Sequence, residues 1–390
     1  MKNSDLRVLI IGPYPPYKDA GAYQFIEEQV MALSCKVNRV DVVSPIRLYP
    51  RFFSNLKFLP YTVRYHALSD NYSPVSNVGV NFVKVLKLPK LQRWPFIAVE
   101  KTIRYIERFN INFNIIHAHF LSFGVIAQKI SEKFGVPFVI TAHENTPLLE
   151  ESLRFPSIKK AVQYADAVIR VNPYDLHFLE NKRVFYIPNG IDLRKFPFIA
   201  TKKARDLLGI PADQVVLVNV GSLREIKGQD FLLDVIHYIL LKHDKNFHLY
   251  LIGEGPMKKK LEKKVRKLGI NDHIHFVGRV NYSKIHIWLS AADLYLMASR
   301  EESFGIAQLE ALACGLKVLS TPTKGSMLFV NQGIDGYMVA ECNTQQYGDA
   351  IVEMLERRVE AKQLRAWIEE KYSISLVIDK ILDVYHTILS

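Results

Sequence analysis

The sequence predicts an α/β protein of two successive domains, each built on a parallel sheet with helices packed on it. Two alternating series of strand-like and helical stretches carry that expectation, one before residue 188 and one after residue 215, with a turn-rich joint between them. The length of 390 residues agrees, because a single core rarely grows to that size. The expected limits are 1–196 for the first domain and 197–370 for the second. Residues 371–390 are expected to form a C-terminal helix packing back toward the first domain.

In the first series, Arg7-Val8-Leu9-Ile10-Ile11-Gly12 reads as a short buried strand ending in a turn. Pro13, Pro15 and Pro16 keep a helix from starting at once. Gly21 then opens an amphipathic stretch with Phe25, Ile26, Val30 and Leu33 on one face. Val40–Val43 is the next strand, which completes a βαβ pattern. Asn114–His119, Pro137–Thr141 and Ala167–Val171 are further strands, and the first of these runs into a helix through Ile130. The stretch from Pro45 to Pro95 is rich in proline and aromatics without a clear period, and reads as irregular loops and short elements.

Pro188-Asn189-Gly190-Ile191-Asp192 has strong turn chemistry and marks the joint. After it, strands are expected at Val215–Gly221, His248–Gly253, Ile274–Gly278, Leu294–Met297 and Lys317–Ser320. Two such sheets joined by a hinge imply a cleft, a common place for a ligand.

About half the residues are hydrophobic and about a quarter charged, as in an ordinary soluble enzyme. Cys35, Cys314 and Cys342 lie far apart and make neither a metal-binding pair nor a disulfide framework, which suits a reducing compartment. The apolar run Val8–Ile11 is too short for a signal peptide, and no stretch reaches the roughly 18 apolar residues that span a bilayer. A cytoplasmic protein, or one held peripherally on a membrane, is expected. The net charge of +12 is uneven: residues 1–196 carry 26 Lys and Arg against 16 Asp and Glu, and the remainder 25 against 23. The excess concentrates between Arg47 and Arg108, where it serves either an anionic partner or plain solvation.

Three loops at strand ends could carry chemistry. Ser299-Arg300-Glu301-Glu302-Ser303-Phe304-Gly305-Ile306 leads from a strand into a helix that includes Glu310. Free N–H groups at such a helix start can hold a phosphate or sugar oxygen, and carboxylates can accept from paired sugar hydroxyls. Taken singly, Glu302 and Glu310 read as a helix cap and a solvated acid. Val220-Gly221-Ser222-Leu223-Arg224-Glu225-Ile226-Lys227-Gly228 sets two cations and two glycines after a strand, suited to an anion or to a plain surface loop. Gly253-Glu254-Gly255-Pro256 is a weaker third. In the first domain His117, His119 and His143 fall at strand ends. The His-x-His spacing sets His117 and His119 on one face, but no third metal ligand has a recognised spacing, and His117 reads as a satisfied core histidine.

Together these segments resemble glycosyltransferase family four, the retaining GT-B family. Glu302-x₇-Glu310 with Phe304-Gly305 and Ala311 resembles its paired-glutamate motif. Val220-Gly221-x-Leu223-x₃-Lys227-Gly228 resembles its diphosphate loop. Gly253-x-Gly255-Pro256, Phe276-x-Gly278 and Pro188–Asp192 follow in the expected order. Gln29-Val30-x-Ala32-Leu33 is similar to members that build cell-surface polysaccharides.

The resemblance implies a GT-B fold of two Rossmann-like domains facing across a cleft. It also implies a retaining, hexosyltransferase-type enzyme of polysaccharide biosynthesis. The donor would be a UDP- or GDP-type nucleotide sugar, and the acceptor a saccharide or lipid-linked precursor. His143, Glu302 and Lys227 would be catalytic, with Lys227 on the diphosphate and His143 beside the donor sugar. Gly21, Gly221, Arg224, Gly253, Gly278, Ser303, Phe304, Gly305, Ile306 and Glu310 would bind the donor, with Glu310 on the ribose. His119 would lie on the acceptor side. Ala20 precedes Gly21 where the family often has a second glycine. Ser222 stands where it often has arginine, so Arg224 is the expected substitute.

No cofactor, metal or nucleic acid is expected, and the chain has no Asp-x-Asp. A nicotinamide-dependent oxidoreductase would want Gly-x-Gly-x-x-Gly after the first strand, where Gly12-Pro13-Tyr14-Pro15-Pro16 stands. A sugar-nucleotide epimerase of the same fold and a catalytically silent sugar-nucleotide or membrane-binding protein are the alternatives.

Overall fold

The computed structural model describes residues 2–15, 23–48, 71–86, 94–330 and 333–390. The chain forms two compact units, Met1–Gly190 with Ile374–Ser390, and Ile191–Ser373.

The first unit is built on eight strands: β1 (Arg7–Ile11), β2 (Arg39–Leu48), β3 (Asn71–Tyr72), β4 (Val78–Leu86), β5 (Ile115–His119), β6 (Phe138–Ala142), β7 (Ala167–Arg170) and β8 (Val184–Tyr186). Their order across the sheet is β3-β4-β2-β1-β5-β6-β7-β8, and among the described residues only the β3–β4 pair is antiparallel. After Arg7 the strand β1 is apolar, because both faces are covered. Val8 and Ile10 join a core with Ile26, Val30 and Leu33 of the helix Gln24–Ser34, and with Val377, Ile381 and Tyr385 of the C-terminal helix Ile374–Leu389. Leu9 and Ile11 face the opposite core, with Ile126 and Ile130 of the helix Leu121–Phe134. A side chain at Gly190 would press on Ile374, so this glycine lets the C-terminal helix begin against the Pro188–Gly190 turn.

The segment after Pro45 differs from the irregular loops that the sequence suggests. The strand β2 continues through Pro45 to Leu48, and β4 pairs with it over nine residues, Val40 to Leu48. A proline inside a strand normally removes a ladder bond. Here β1 pairs with β2 only as far as Val43, so at Pro45 the strand has β4 on one side and, among the described residues, no partner on the other. The helix Trp94–Arg108 follows.

The second unit carries six parallel strands: β9 (Val215–Val220), β10 (Phe247–Ile252), β11 (Ile274–Gly278), β12 (Leu294–Met297), β13 (Val318–Ser320) and β14 (Tyr337–Val339). Their order is β11-β10-β9-β12-β13-β14. Leu217, Leu249, Leu251, Leu294 and Leu296 make the core with Leu232, Val235 and Ile236 of the helix Gln229–Lys242. In both sheets the chain order reverses next to the first strand of the unit, between β1 and β5 and between β9 and β12. Such switch points open a crevice at the carboxyl ends of the strands.

Candidate active site

In the second unit the loops after β9 and β12 meet at the switch point and are tied together. The Arg300 N–H donates to the Ile226 carbonyl at 2.8 Å. The Arg300 guanidinium donates to the Glu225 carbonyl and, at 3.0 Å, to Asp230. Lys227 Nζ donates to Glu302 Oε1 at 2.6 Å, and both side chains are partly exposed. Gly228 makes this approach possible. It adopts φ +64°, and an added Cβ would lie 1.9 Å from the Ala298 carbonyl oxygen.

Glu302 is pinned from below, since the Gly325 N–H donates to its carbonyl at 3.0 Å. The chain then turns through Gly305 at φ +79° into the helix Ile306–Ala313, whose N-terminus no side chain caps. Uncapped N–H groups and the positive end of the helix favour an anion there. The Phe304 ring is buried against Phe329 and Tyr372, and its carbonyl accepts from Gln308 Nε2 at 2.6 Å. Phe304 therefore anchors the turn by its side chain. Glu310 is almost buried one helical turn inside. Burial, with Glu310 and Glu302 near, drives the Tyr295 hydroxyl far up. Burial and Glu310 push the Cys314 thiol up to about 12.

The remaining loops close the same edge. Gly253 donates to the Gly278 carbonyl at 2.8 Å, and Gly221 to the Ile252 carbonyl at 2.9 Å. A Cβ on Gly253 would collide with the Gly221 carbonyl oxygen at 2.0 Å, whereas Gly221 and Gly278 have nothing within 4 Å of theirs. Gly253 thus packs loop on loop, and Gly221 and Gly278 leave open space. Arg224 is exposed on the turn that carries Lys227. Ser303 lies between Glu302 and Phe304 on the β12 loop.

In the first unit His119 ends β5 and His143 follows β6. Their rings stack 5.2 Å apart, and His119 Nδ1 lies 2.9 Å from His143 Nε2. His117 is a satisfied core histidine, with Nδ1 2.6 Å from the Tyr385 hydroxyl and Nε2 2.7 Å from Thr141 Oγ1. Gly12 permits this packing, because a Cβ there would stand 3.0 Å from His119 Cβ. Between strand and helix Phe120 takes φ +70°, and the Leu121 N–H donates to Glu144 Oε1 at 2.7 Å. Beneath them Arg170, fully buried, donates to the Ala142 carbonyl and to Asp175 Oδ2, each at 2.8 Å. Burial lowers the basicity of all three imidazoles, His119 to about 3, and for His143 the neighbouring histidines and Arg170 add to the effect. Burial also raises the Glu144 carboxyl.

The structure therefore gathers Gly221, Arg224, Lys227, Gly253, Gly278, Glu302, Ser303, Phe304, Gly305, Ile306 and Glu310 in one unit, and His119 with His143 in the other. Gly21 lies outside the described residues, as do Arg51, Lys57, Arg64, Lys87, Lys90 and Arg93 of the basic stretch. Sequence reasoning missed Arg300, Gly325 and the Arg170–Asp175 pair. The position of Arg300 immediately before Glu301-Glu302 was the one available signal. Among the described residues, no group of three or more His, Cys, Asp or Glu could hold a metal ion, and no helix is long and apolar enough to cross a membrane.

Residues 36–195 match the family model described as Glycosyltransferase Family 4, and residues 200–373 match that described as Glycosyl transferases group 1. The D-inositol 3-phosphate glycosyltransferase 2 of Catenulispora acidiphila is 27% identical over 268 residues, 63% of this chain and 63% of that one. The D-inositol 3-phosphate glycosyltransferase of Acidothermus cellulolyticus is 26% identical over 306 residues, 71% of this chain and 68% of that one. The chain thus spans a little under two thirds of the first relative. Among solved structures, sucrose-phosphate synthase from Thermosynechococcus elongatus aligns with TM-score 0.79 at 17% identity, covering 98% of this chain and 99% of that one. Anabaena HepE in complex with UDP-glucose aligns with TM-score 0.72 at 18% identity, covering 98% of this chain and 100% of that one. These likenesses establish the GT-B fold.

Proposed function

The chain belongs to glycosyltransferase family four, and on that footing we propose that it is a retaining hexosyltransferase with a UDP- or GDP-type nucleotide-sugar donor. The observation that carries the reading is the meeting of Lys227, Glu302, an uncapped helix start and Glu310 at the switch point of the second sheet. Bond cleavage leaves growing negative charge on a nucleoside diphosphate. A fixed ammonium and a helix N-terminus stabilise that charge without reorganising. Lys227, with Arg224 beside it, takes the diphosphate. Glu302 and the Phe304–Ile306 backbone hold the donor sugar and its phosphate, and Ser303, Gly221, Gly253 and Gly278 line the approach. The resemblance assigns the diphosphate to Gly21 as well, and the donor sugar to His143.

Lys227 and Glu302 neutralise each other, so a donor diphosphate would exchange with the carboxylate on the same ammonium. With cations supplied by the chain, the reaction needs no metal. Glu310, as the ribose ligand, sets nucleotide affinity. Glu310→Ala should weaken binding of the free nucleoside diphosphate by about 1.5–3 kcal/mol, the range for a hydrogen bond to a charged group. Calorimetry measures it, and an unchanged affinity would remove Glu310 from the site.

For the acceptor we propose a lipid-linked or cell-surface polysaccharide precursor, met in the cytoplasm at the inner face of the membrane. The positive excess of residues 1–196 supports this, because each cation near an anionic surface contributes about 1 kcal/mol, screened by salt. Arg47 and Lys84 belong to that stretch, with Phe52, Phe53, Phe58, Tyr61 and Trp94 interleaved. The names of the curated relatives favour a second reading, a phosphorylated cyclitol acceptor. Co-sedimentation separates the two. The membrane reading expects binding to anionic but not neutral vesicles, lost at high salt. No binding to anionic vesicles at low salt leaves the soluble cyclitol phosphate as the acceptor class.

A further inference from the structure

We propose that His119 is a positioning residue that fixes the tautomer of His143, the two rings sharing one proton, so that His143 Nδ1 meets a ligand hydroxyl in a single fixed role. This rests on the placement of His143 in the site and gives its partner a different task from direct contact with the acceptor.

The geometry leaves little freedom. His119 has no exposed surface, so in this conformation a ligand senses it only through His143. A neutral imidazole carries one N–H. The 2.9 Å contact between His119 Nδ1 and His143 Nε2 therefore holds one proton, given by one ring and accepted by the other. The outer nitrogens, His119 Nε2 and His143 Nδ1, are buried and have no partner among the described residues. If His143 gives the shared proton, its Nδ1 is an acceptor and His119 Nε2 is an N–H. If His119 gives it, the two outer roles exchange. In neither state do the outer atoms match each other.

Charging the pair is opposed from every side. The rings are buried, His117 stacks on His119 at 4.6 Å, and Arg170 lies beneath His143. The acid that approaches them, Glu144, is itself raised by burial and spends one oxygen on the Leu121 N–H. His117 cannot relay a proton to the pair, since Tyr385 and Thr141 occupy both its nitrogens. A neutral His143 with one fixed role at Nδ1 suits a sugar hydroxyl, which can donate or accept, better than a phosphate, which only accepts.

The test is the ¹⁵N shift of the His143 ring in the full chain labelled at histidine, read from pH 5 to 9, with turnover measured beside it. In the wild type one His143 nitrogen stays protonated and the other bare throughout. His119→Asn, whose amide group stands where Nδ1 stood, should keep that pattern and most of the turnover. His119→Leu, of similar volume but without the bond, should give averaged nitrogens that titrate toward the ordinary histidine range. Its kcat should fall roughly tenfold, as for one lost hydrogen bond, with donor KM little changed. Full protonation of His143 between pH 5 and 8 in the wild type, or a wild-type pattern or turnover in His119→Leu, overturns the proposal. His143→Ala turning over at the wild-type rate overturns the placement of His143 itself.

Discussion

Replacing Lys227 with alanine should cost roughly 10²–10³ in turnover, the usual loss when one preorganised transition-state donor is removed. Two effects add. The leaving diphosphate loses the ammonium that neutralises its growing charge. Glu302, 2.6 Å from Lys227 Nζ in the resting protein, is then an unbalanced carboxylate beside an anionic donor. Donor KM should therefore rise together with the fall in kcat. Folding should be nearly unaffected, because the pair is partly exposed and such pairs contribute about 0–1 kcal/mol. Steady-state kinetics on a variant with a wild-type melting temperature checks this. Near-wild-type turnover would return Lys227 to the role of a surface-loop cation.

The largest loss of stability is expected at Arg170→Met. Arg170 and Asp175 are both completely buried and bonded at 2.8 Å, with Thr146 Oγ1 donating to the same carboxylate at 3.1 Å. Breaking such a pair strands a buried charge and typically costs about 3–5 kcal/mol. Removing both charges together, as Arg170→Met with Asp175→Leu, should recover much of that loss, since apolar replacements of buried pairs are often tolerated. Turnover should not recover with it. The Ala142 carbonyl loses its donor in both variants, and Ala142 fixes the chain immediately before His143. Urea denaturation with parallel kinetics separates the two readouts. A single variant within about 1 kcal/mol of wild type would mean that the site can admit water or relax.

Local patterning made much of this fold legible. The strands β1, β6, β9 and β12 are short, largely apolar runs, and parallel sheets covered on both faces are written that way. The sequence also kept the far half of β2 hidden, because Pro45 argues against a strand until it is known that β1 pairs with β2 only as far as Val43. In the second unit each motif is contiguous in sequence, so the resemblance to the family's motifs pointed to Lys227, Glu302, Gly305 and Glu310. The tie from Arg300 to Asp230 joins loops seventy residues apart, and no local pattern shows it. His119 and His143 could each be picked out at a strand end. Their shared proton depends on the register of β5 on β6, which sets His119 opposite Thr141, two residues before His143. Arg170 looked like any residue of a strand, since nothing in a sequence marks a cation whose partner is five residues away and fully buried.

The central claim is that the second unit holds a nucleoside diphosphate through groups of this chain alone. The most direct test is a thermal-shift titration with UDP, GDP and their sugar conjugates in excess EDTA, on the wild type and on Lys227→Ala. A ligand that binds only the folded state stabilises by mass action, about 2.7 kcal/mol at a hundredfold excess over Kd. A saturable rise in melting temperature is expected with at least one of these nucleotides, undiminished by EDTA and strongly reduced in Lys227→Ala. No shift with any of them, or a shift that appears only when Mg²⁺ or Mn²⁺ is restored, would contradict it.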